Sequence, residues 1–220
     1  MSSSTELADI LNTLSAEADP AAGRSMQEQY GIHSGQSYGV PMRRLLQMGE
    51  DAGTHHQLAL QLWAQGSYEA RTLAALIDDP EQVTAHQMEH WSDDFENWAI
   101  VDTVCFRLFD KAADAWMMVD RWVEDERLYV KRAGFALLWA LALHDRATPD
   151  THFTEALGHA RQHADDPRPL VGKSITMALR AIATKRPAVR DEVVALAERL
   201  SDSSEPAERR VGRPIVRAVG

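Results

Sequence analysis

A chain of 220 residues with 45% hydrophobic and 25% charged residues has the composition of a soluble globular protein with one substantial core. Its formal net charge of −10 argues against indiscriminate binding to nucleic acid. The single cysteine, Cys105, excludes an internal disulfide and fits a reducing compartment. No basic and apolar leader opens the sequence, and the longest apolar run, residues 133–143, is too short to span a bilayer. We therefore expect a cytoplasmic protein that does not enter a membrane.

Helical periodicity dominates the chain from one end to the other. We expect residues 1–25 to form an N-terminal helical cap, and leucine-rich helices to end before Gly66 and Pro80. No segment alternates with the period of two that strands require, so the fold class is all-α. The prediction is one domain over residues 1–220, closed by a basic helix at 201–220. Breaks at glycines and prolines separate the other predicted helices, which are 95–109, 113–123, 127–144, 152–163, 170–185, 189–200 and 207–218.

A weak repeat runs through these helices. A basic residue at the start of an apolar helix recurs at Arg71, Arg132 and Lys173, and more loosely at Arg210, while Asp102 occupies the same frame. The separations of 31, 30, 41 and 37 residues, in chain order, resemble the stacked helix pairs of an α-solenoid. In such an array the five positions would line one surface, with Asp102 as the single acid. The alternative is that they merely cap or flank their helices.

Charge is divided unevenly along the chain. Residues 1–130 carry 8 Lys and Arg against 22 Asp and Glu, whereas residues 131–220 carry 15 against 11. A C-terminal part with a positive balance can attract phosphate although the whole chain is acidic. A solvated helix face explains the same pattern without any ligand.

Trp98 and Asp102 are the most informative pair of residues in the chain. Four positions apart in a predicted helix, they lie on one face. A sugar could pack against the indole there, while the carboxylate stabilises a positive charge developing on that sugar. The same helix carries an apolar arc that includes Val101 and Cys105. A core tryptophan beside a solvated aspartate is therefore the alternative interpretation.

His86, Glu89 and His90 match an inverted zinc-protease pattern, H-x-x-E-H, with both histidines on one helix face. Such a site needs a third ligand from a distant glutamate, and the sequence offers none that can be assigned. We therefore predict that the protein has no metal site.

The ordered set of motifs resembles the DNA alkylation repair proteins of the AlkD-like type, which are HEAT-like α-solenoid glycosylases. The match covers roughly residues 26–200 with similar spacing. No single motif is very specific, whereas their order along the chain is. The motifs that carry the resemblance are Tyr30-Gly31-Ile32, Tyr38-Gly39-Val40-Pro41 with Arg43 and Arg44, Trp63 with Tyr68-Glu69-Ala70-Arg71, Asn97-Trp98 with Val101-Asp102, Lys131-Arg132, and Ala178-Leu179-Arg180.

The resemblance implies an enzyme, a DNA glycosylase that excises purines alkylated at N3 or N7 from double-stranded DNA. Trp98 and Asp102 match the family's catalytic pair, and Asp102 would stabilise the oxocarbenium-like sugar. Because these purines are cationic and leave as neutral bases, no general acid is needed. We expect a monomer without cofactor or metal, associated with the nucleoid. The candidate substrate-binding residues are Arg43, Arg44, Arg132, Lys173, Met177 and Arg180.

Three departures from the family pattern affect the predicted activity. Met177 stands where a second tryptophan is usual, Gly172 stands where a second basic residue is common, and Ala99 stands where the acid of a Trp-Asp pair is frequent. Methionine is apolar and adaptable, but it offers no aromatic face to a cation. We therefore expect reduced activity. The alternative function is a noncatalytic HEAT-repeat scaffold that binds DNA or a protein partner.

Overall fold

The structure, a computed structural model, describes residues 3–219. These residues form thirteen α-helices and two short 3-10 turns, and no strand occurs among them. The first seven helices are α1 (Ser3–Ala16), α2 (Pro20–Tyr30), α3 (Met42–Ala52), α4 (His56–Trp63), α5 (Tyr68–Ile77), α6 (Ala85–Ser92) and α7 (Trp98–Arg107). The other six are α8 (Ala115–Val123), α9 (Leu128–His144), α10 (Asp150–His163), α11 (Pro169–Lys185), α12 (Arg190–Asp202) and α13 (Pro206–Val219).

The all-α prediction is confirmed, and polar caps and prolines explain where the helices begin. Ser67 accepts a hydrogen bond from the Ala70 backbone N–H at the start of α5. Pro169 is the first residue of α11, where its missing N–H costs nothing. Every helix predicted after residue 95 is present, and its ends differ from the prediction by three residues at most.

The two chain ends differ in how well their helices follow from the sequence. Residues 3–30 form two helices, α1 and α2, and the second of them runs beyond the predicted limit of residue 25. Asp19 separates them because its carboxylate accepts hydrogen bonds from the first backbone N–H groups of α2. The predicted C-terminal helix is present as α13. Residues 1, 2 and 220 of the two predicted end segments lie outside the described residues.

The predicted repeat corresponds to a regular spacing of helix starts. Helices α5, α7 and α9 begin 30 residues apart, and α11 and α13 follow after 41 and 37 residues. The residues of the repeat frame are therefore equivalent, since each is the fourth or fifth residue of its helix: Arg71, Asp102, Arg132, Lys173 and Arg210.

The chain divides into two compact units, Met1–Ala113 and Asp114–Gly220. In the first unit α5 is the central helix, packed against α3, α4 and α7. Trp63 at the end of α4 stacks on Trp91 of α6 with ring centroids 4.0 Å apart. Nearly all of α5 is buried, so its polar residues must find partners inside the protein.

In the second unit α9 packs against α8 and α11, and α13 packs against α11 and α12. The approach of α9 to α8 is close at Gly134, where an added Cβ would lie 2.7 Å from the Val123 backbone nitrogen. The turns before α9 and α11 are built alike, because Arg127 pairs with Asp125 and Arg168 pairs with Asp166. The unit therefore repeats its connections as well as its helices.

Asp145 ends α9 and fixes the turn that follows. Burial alone would raise the pKa of this carboxyl, but hydrogen bonds from Thr148 and Trp116 outweigh burial and lower the pKa to about 2. The ionised carboxylate thus holds the indole of α8 against the end of α9 at neutral pH. Within residues 3–219, no helix combines the length and apolar character needed to cross a membrane.

Candidate active site and nucleic-acid interface

Helix α7 carries the predicted catalytic pair. Asn97, which is fully buried, caps the helix by accepting a hydrogen bond of 3.0 Å from the Ile100 backbone N–H. Trp98 is the first helical residue, and Asp102 follows one turn later. Both side chains are half-buried, as expected for residues at the margin of an apolar face. The indole of Trp98 and the carboxylate of Asp102 therefore lie on the same side of α7.

The indole of Trp98 is anchored to the end of α2. Its Nε1–H donates a hydrogen bond of 3.0 Å to the backbone carbonyl of Tyr30, the last residue of that helix. Gly31 ends α2 in the left-handed conformation with φ of 61°, which leaves carbonyl groups of the last turn available. The Tyr30-Gly31 motif therefore positions Trp98, a role that sequence spacing alone did not reveal.

Glu69 anchors the segment that precedes α3. The side chain is fully buried, and its two oxygens accept hydrogen bonds from the Ser37 hydroxyl and from the backbone N–H groups of Tyr38, Gly39 and Val40, at 2.7 to 3.3 Å. Four donors satisfy the charge of a carboxylate that would otherwise be costly to bury. Two motifs that lie about 30 residues apart in sequence therefore form a single structural unit.

Gly39 brings this segment against the start of α2. Its φ is 77°, and a Cβ at this position would lie 2.0 Å from the backbone oxygen of Asp19. Only glycine fits such a contact. The Asp19 backbone N–H also donates a 2.8 Å hydrogen bond to the Tyr38 carbonyl, so the segment and α2 are joined directly.

Arg71, the first basic residue of the repeat frame, supports the residues that lead into α7. Its guanidinium contacts the Asp94 carboxylate at 3.2 Å, the Asp94 backbone oxygen at 3.1 Å and the Glu96 carboxylate at 3.4 Å. It also lies over the Trp63 ring, 5.4 Å from the centroid. Because Arg71 is only 9% exposed, it stabilises the approach to the Trp98 helix rather than lining an open surface.

Arg43 and Arg44 begin α3 but have different surroundings. Arg43 is exposed to solvent, whereas Arg44 pairs with Glu17 of α1 through hydrogen bonds of 2.8 to 3.1 Å. The hydrogen bonds to Glu17 raise the pKa of Arg44, and those from Arg44 lower the pKa of Glu17. Of the two predicted substrate contacts, Arg43 is therefore the one with a guanidinium open to solvent.

Arg132 lies inside the second unit. It is 1% exposed, and its Nη1 donates a 2.8 Å hydrogen bond to the backbone carbonyl of Leu170 at the start of α11. This contact ties α9 to the first turn of α11. A DNA contact by Arg132 stays a prediction, and it would require the guanidinium to reach beyond its present surroundings.

Lys173, Met177 and Arg180 follow one face of α11. Their spacing of four and three residues aligns them along the helix, with the two cations exposed and the methionine half-buried between them. Met177 and Arg180 also line a groove of about 300 Å³ together with Trp139 and Leu143 of α9. The three predicted residues are therefore brought together on one side of the second unit.

Trp139 is a candidate site residue that the sequence analysis missed. It lies within the long apolar run of α9, which periodicity alone assigns to the core, yet Trp139 and Leu143 are half-buried while residues 133–138 and 140–142 are buried. Its position two helical turns after Arg132 is the signal that could have identified it. An aromatic side chain thus borders Met177 from the neighbouring helix, although α11 itself has none at that position.

A second feature of the first unit is a cavity of about 390 Å³ beside α1, α3 and α4, whose lining includes Glu6, Asp9, Arg44 and His55. Neither Trp98 nor Asp102 belongs to its lining. In the part of the chain from residue 3 to residue 219, no three His, Cys, Asp or Glu side chains are grouped so that they could hold a metal ion.

Tandem helix pairs with a regular repeat define this chain as a helical-repeat protein. The family model described as DNA alkylation repair enzyme matches residues 10–210. Because this match spans most of the chain, the protein belongs to the DNA alkylation repair family, as the motifs predicted.

A solved structure shares the fold over almost its whole length. The two align with a TM-score of 0.78 and 17% sequence identity, covering 97% of this chain and 95% of that chain. That protein is described as one of a new family related to the HEAT-like repeat DNA glycosylases, with affinity for branched DNA structures. The predicted HEAT-like repeat fold is thereby confirmed. No curated protein matches the sequence.

Proposed function

We propose that this protein is a DNA glycosylase that removes purines made cationic by alkylation at N3 or N7. The observation that carries the proposal is the arrangement on α7. Asp102 lies half-buried one turn after Trp98, whose indole is held by the Tyr30 carbonyl. Membership in a family of DNA alkylation repair enzymes supports the same chemistry.

The proposed reaction is hydrolysis of the N-glycosidic bond. Water adds to C1′ of the deoxyribose, the bond to the base breaks, and the base leaves as a neutral molecule with the bonding electrons. The proton lost by water passes to Asp102 or to solvent. Because the leaving base is already cationic, the main task is to stabilise the positive charge on the sugar, which a fixed carboxylate performs electrostatically. Trp98 would pack against the sugar and lower the local dielectric constant around that carboxylate.

Exposed cations supply the contacts to DNA in this proposal. Arg43 on α3, and Lys173 and Arg180 on α11, are exposed and would bind phosphate, while Met177 would contact the nucleotide. Arg44 and Arg132 are engaged by Glu17 and by the Leu170 carbonyl. A phosphate contact from either of these two would require its guanidinium to share or exchange that partner. The protein would act as a monomer on chromosomal DNA, without a cofactor.

A second candidate is a noncatalytic protein that binds branched DNA. The protein of known structure with the same fold has affinity for such DNA, and Met177 replaces an aromatic residue of the resembling glycosylases. This candidate keeps the cationic surface and dispenses with a catalytic role for Asp102.

Release of bases from methylated duplex DNA tests the proposal. The purified protein is incubated with the DNA, and free 3-methyladenine and 7-methylguanine are measured by chromatography. We expect release that grows with protein concentration and exceeds that of Asp102→Asn. Release no greater than that of the variant, together with salt-dependent DNA binding, would reject the glycosylase and favour the second candidate.

A further inference from the structure

The groove between α9 and α11 combines apolar side chains with free positive charge. We define the α9–α11 groove by Trp139 and Leu143 on α9 and by Met177, Arg180, Thr184 and Lys185 on α11. Its volume of about 300 Å³ lies at the lower end of the range for small-molecule sites. All of these residues belong to the second unit, and none is on the helix that carries Asp102.

The side chains in the apolar part of the α9–α11 groove are of the kind that contacts nucleobases. Trp139 and Met177 both line the groove and are half-buried, so part of each side chain is accessible from it. An indole provides a rigid π-face for stacking, and methionine adapts to whatever lies beside it. Aromatic side chains next to a cationic groove are the usual means by which proteins bind unpaired bases without sequence preference.

The charged part of the α9–α11 groove suits phosphate. Arg180 and Lys185 are exposed, and no ion pair among residues 3–219 engages either side chain. A second cavity of about 290 Å³ shares Leu143 and Lys185 with the groove and adds the exposed Arg146. Asp145 also lines this second cavity, where Trp116 and the Thr148 backbone N–H hold its ionised carboxylate. Because the exposed Arg146 and Lys185 outnumber this one carboxylate, the net charge of the lining is positive.

Arg186 lies in the same region, but unlike Arg180 and Lys185 its side chain makes several contacts within the protein. Its guanidinium lies 4.1 Å from the Phe153 ring centroid, pairs with Asp150 and donates to the Asp145 carbonyl. These contacts join the ends of α9 and α11 to α10. Among residues 3–219, Arg180 and Lys185 make no comparable contacts, so both charges are open to a ligand.

We propose that the α9–α11 groove binds one unpaired nucleotide of DNA, with its base against Trp139 and Met177 and its flanking phosphates on Arg180 and Lys185. A base inside a duplex is stacked on both faces and cannot reach an indole, so the occupant must be unpaired. This inference rests on the proposed function in requiring that the protein binds DNA and that Met177 and Arg180 contact it. It is independent of any catalytic role of Asp102.

A fluorescent base reports directly on the proposed contact. One duplex carries a single unpaired 2-aminopurine, and a matched duplex carries the same base paired with thymine. Stacking on an indole quenches 2-aminopurine, so we expect the wild-type protein to quench the unpaired base more than the paired one. We expect Trp139→Leu to lose this difference and to bind the bulged duplex about tenfold more weakly, with unchanged affinity for the paired duplex. Trp139→Phe should retain part of the quenching.

Variants that remove positive charge distinguish phosphate binding in the α9–α11 groove from general electrostatic attraction between the protein and DNA. The double variant Arg180→Gln with Lys185→Gln should weaken binding of the bulged duplex more than that of the paired duplex. Its matched control is Arg161→Gln with Arg199→Gln, which removes two exposed arginines of α10 and α12 and should affect both duplexes equally. These surface changes leave the fold intact, so they keep the test valid even if Trp139→Leu unfolds.

The outcomes distinguish this inference from the proposed function. Equal quenching of both duplexes by the wild-type protein, or unchanged quenching by Trp139→Leu, overturns the groove assignment. Binding of an acidic peptide to the α9–α11 groove in place of the bulged duplex also overturns the groove assignment. If the quenching difference is present while methylated DNA releases no base, the groove assignment stands and the glycosylase proposal fails.

Discussion

Asp102→Asn is expected to slow base release about 100- to 1,000-fold under single-turnover conditions, the loss typical of removing one group that stabilises charge in a transition state. The substitution keeps the size of the side chain but removes the negative charge that, in the proposed function, would face the sugar. Because the contribution exists only when the sugar becomes cationic, the affinity for undamaged duplex should not fall. It should rise slightly, since the variant lacks one negative charge that would repel the phosphates of DNA.

The matched control for this prediction is Asp202→Asn, an equally conservative change at an exposed position of α12. Release rates are measured with protein in excess over a duplex that contains a single 7-methylguanine, and affinity is measured by anisotropy on the unmodified duplex. A rate for Asp102→Asn within threefold of the control would mean that the carboxylate does not act on the sugar.

Glu69→Ala is expected to lower the free energy of unfolding by about 3–5 kcal/mol, because backbone donors lose their acceptor and a buried side chain is replaced by a void. The substitution leaves the backbone N–H groups of Tyr38 and Val40 without their acceptor, whereas the Gly39 N–H keeps its hydrogen bond to the Ser37 hydroxyl oxygen. It also opens a void where a fully buried side chain stood. Each buried donor left without a partner costs about 1–3 kcal/mol, and water entering the void would offset part of that sum. Urea unfolding followed by circular dichroism measures the loss.

Glu69→Gln provides the graded comparison. A glutamine oxygen can still accept from two of the donors, so we expect a smaller loss than for alanine. As a control, Glu50→Gln at an exposed position of α3 should leave the stability almost unchanged. A loss below about 1 kcal/mol for Glu69→Ala would show that the segment before α3 does not depend on this carboxylate.

The helices could be predicted from the sequence because each has a local signal. Apolar residues at helical spacing, caps such as Asn97 and breaks such as Pro149 act within a few residues of one another. The repeat was also visible, since equivalent positions in successive helices need similar residues. The N-terminal region was predicted less well because Asp19, which separates α1 from α2, is a single polar residue in a polar segment.

Whether each candidate residue is buried or exposed was harder to predict, because this depends on which helix faces the neighbouring helices bury. Arg71, Arg132 and Lys173 share one frame in the sequence, yet Arg71 and Arg132 are buried while Lys173 is exposed. Trp139 shows the converse, since a residue in an apolar run remains accessible where α11 presents Arg180 beside it. Periodicity gives the face of a helix, whereas the neighbouring helices decide whether that face is covered.

Contacts between residues far apart in sequence explain the structural roles of motifs that the sequence identified only by resemblance. Tyr38-Gly39-Val40 and Glu69 are joined by hydrogen bonds, and the Tyr30 carbonyl holds Trp98. These contacts lead from the segment before α3, through α2, to the helix of the predicted catalytic pair. Their effect on the position of Trp98 could not be derived from the spacing of the motifs.

The most direct measurement of the central claim compares a charged and a neutral leaving base at the same position. Two duplexes are identical except that one contains 7-methylguanine, which is cationic, and the other contains hypoxanthine, which is neutral and needs an acid to leave. If Asp102 acts only by stabilising charge on the sugar, the protein releases 7-methylguanine and leaves hypoxanthine in place. Equal release of both bases, or release of neither, would contradict this account.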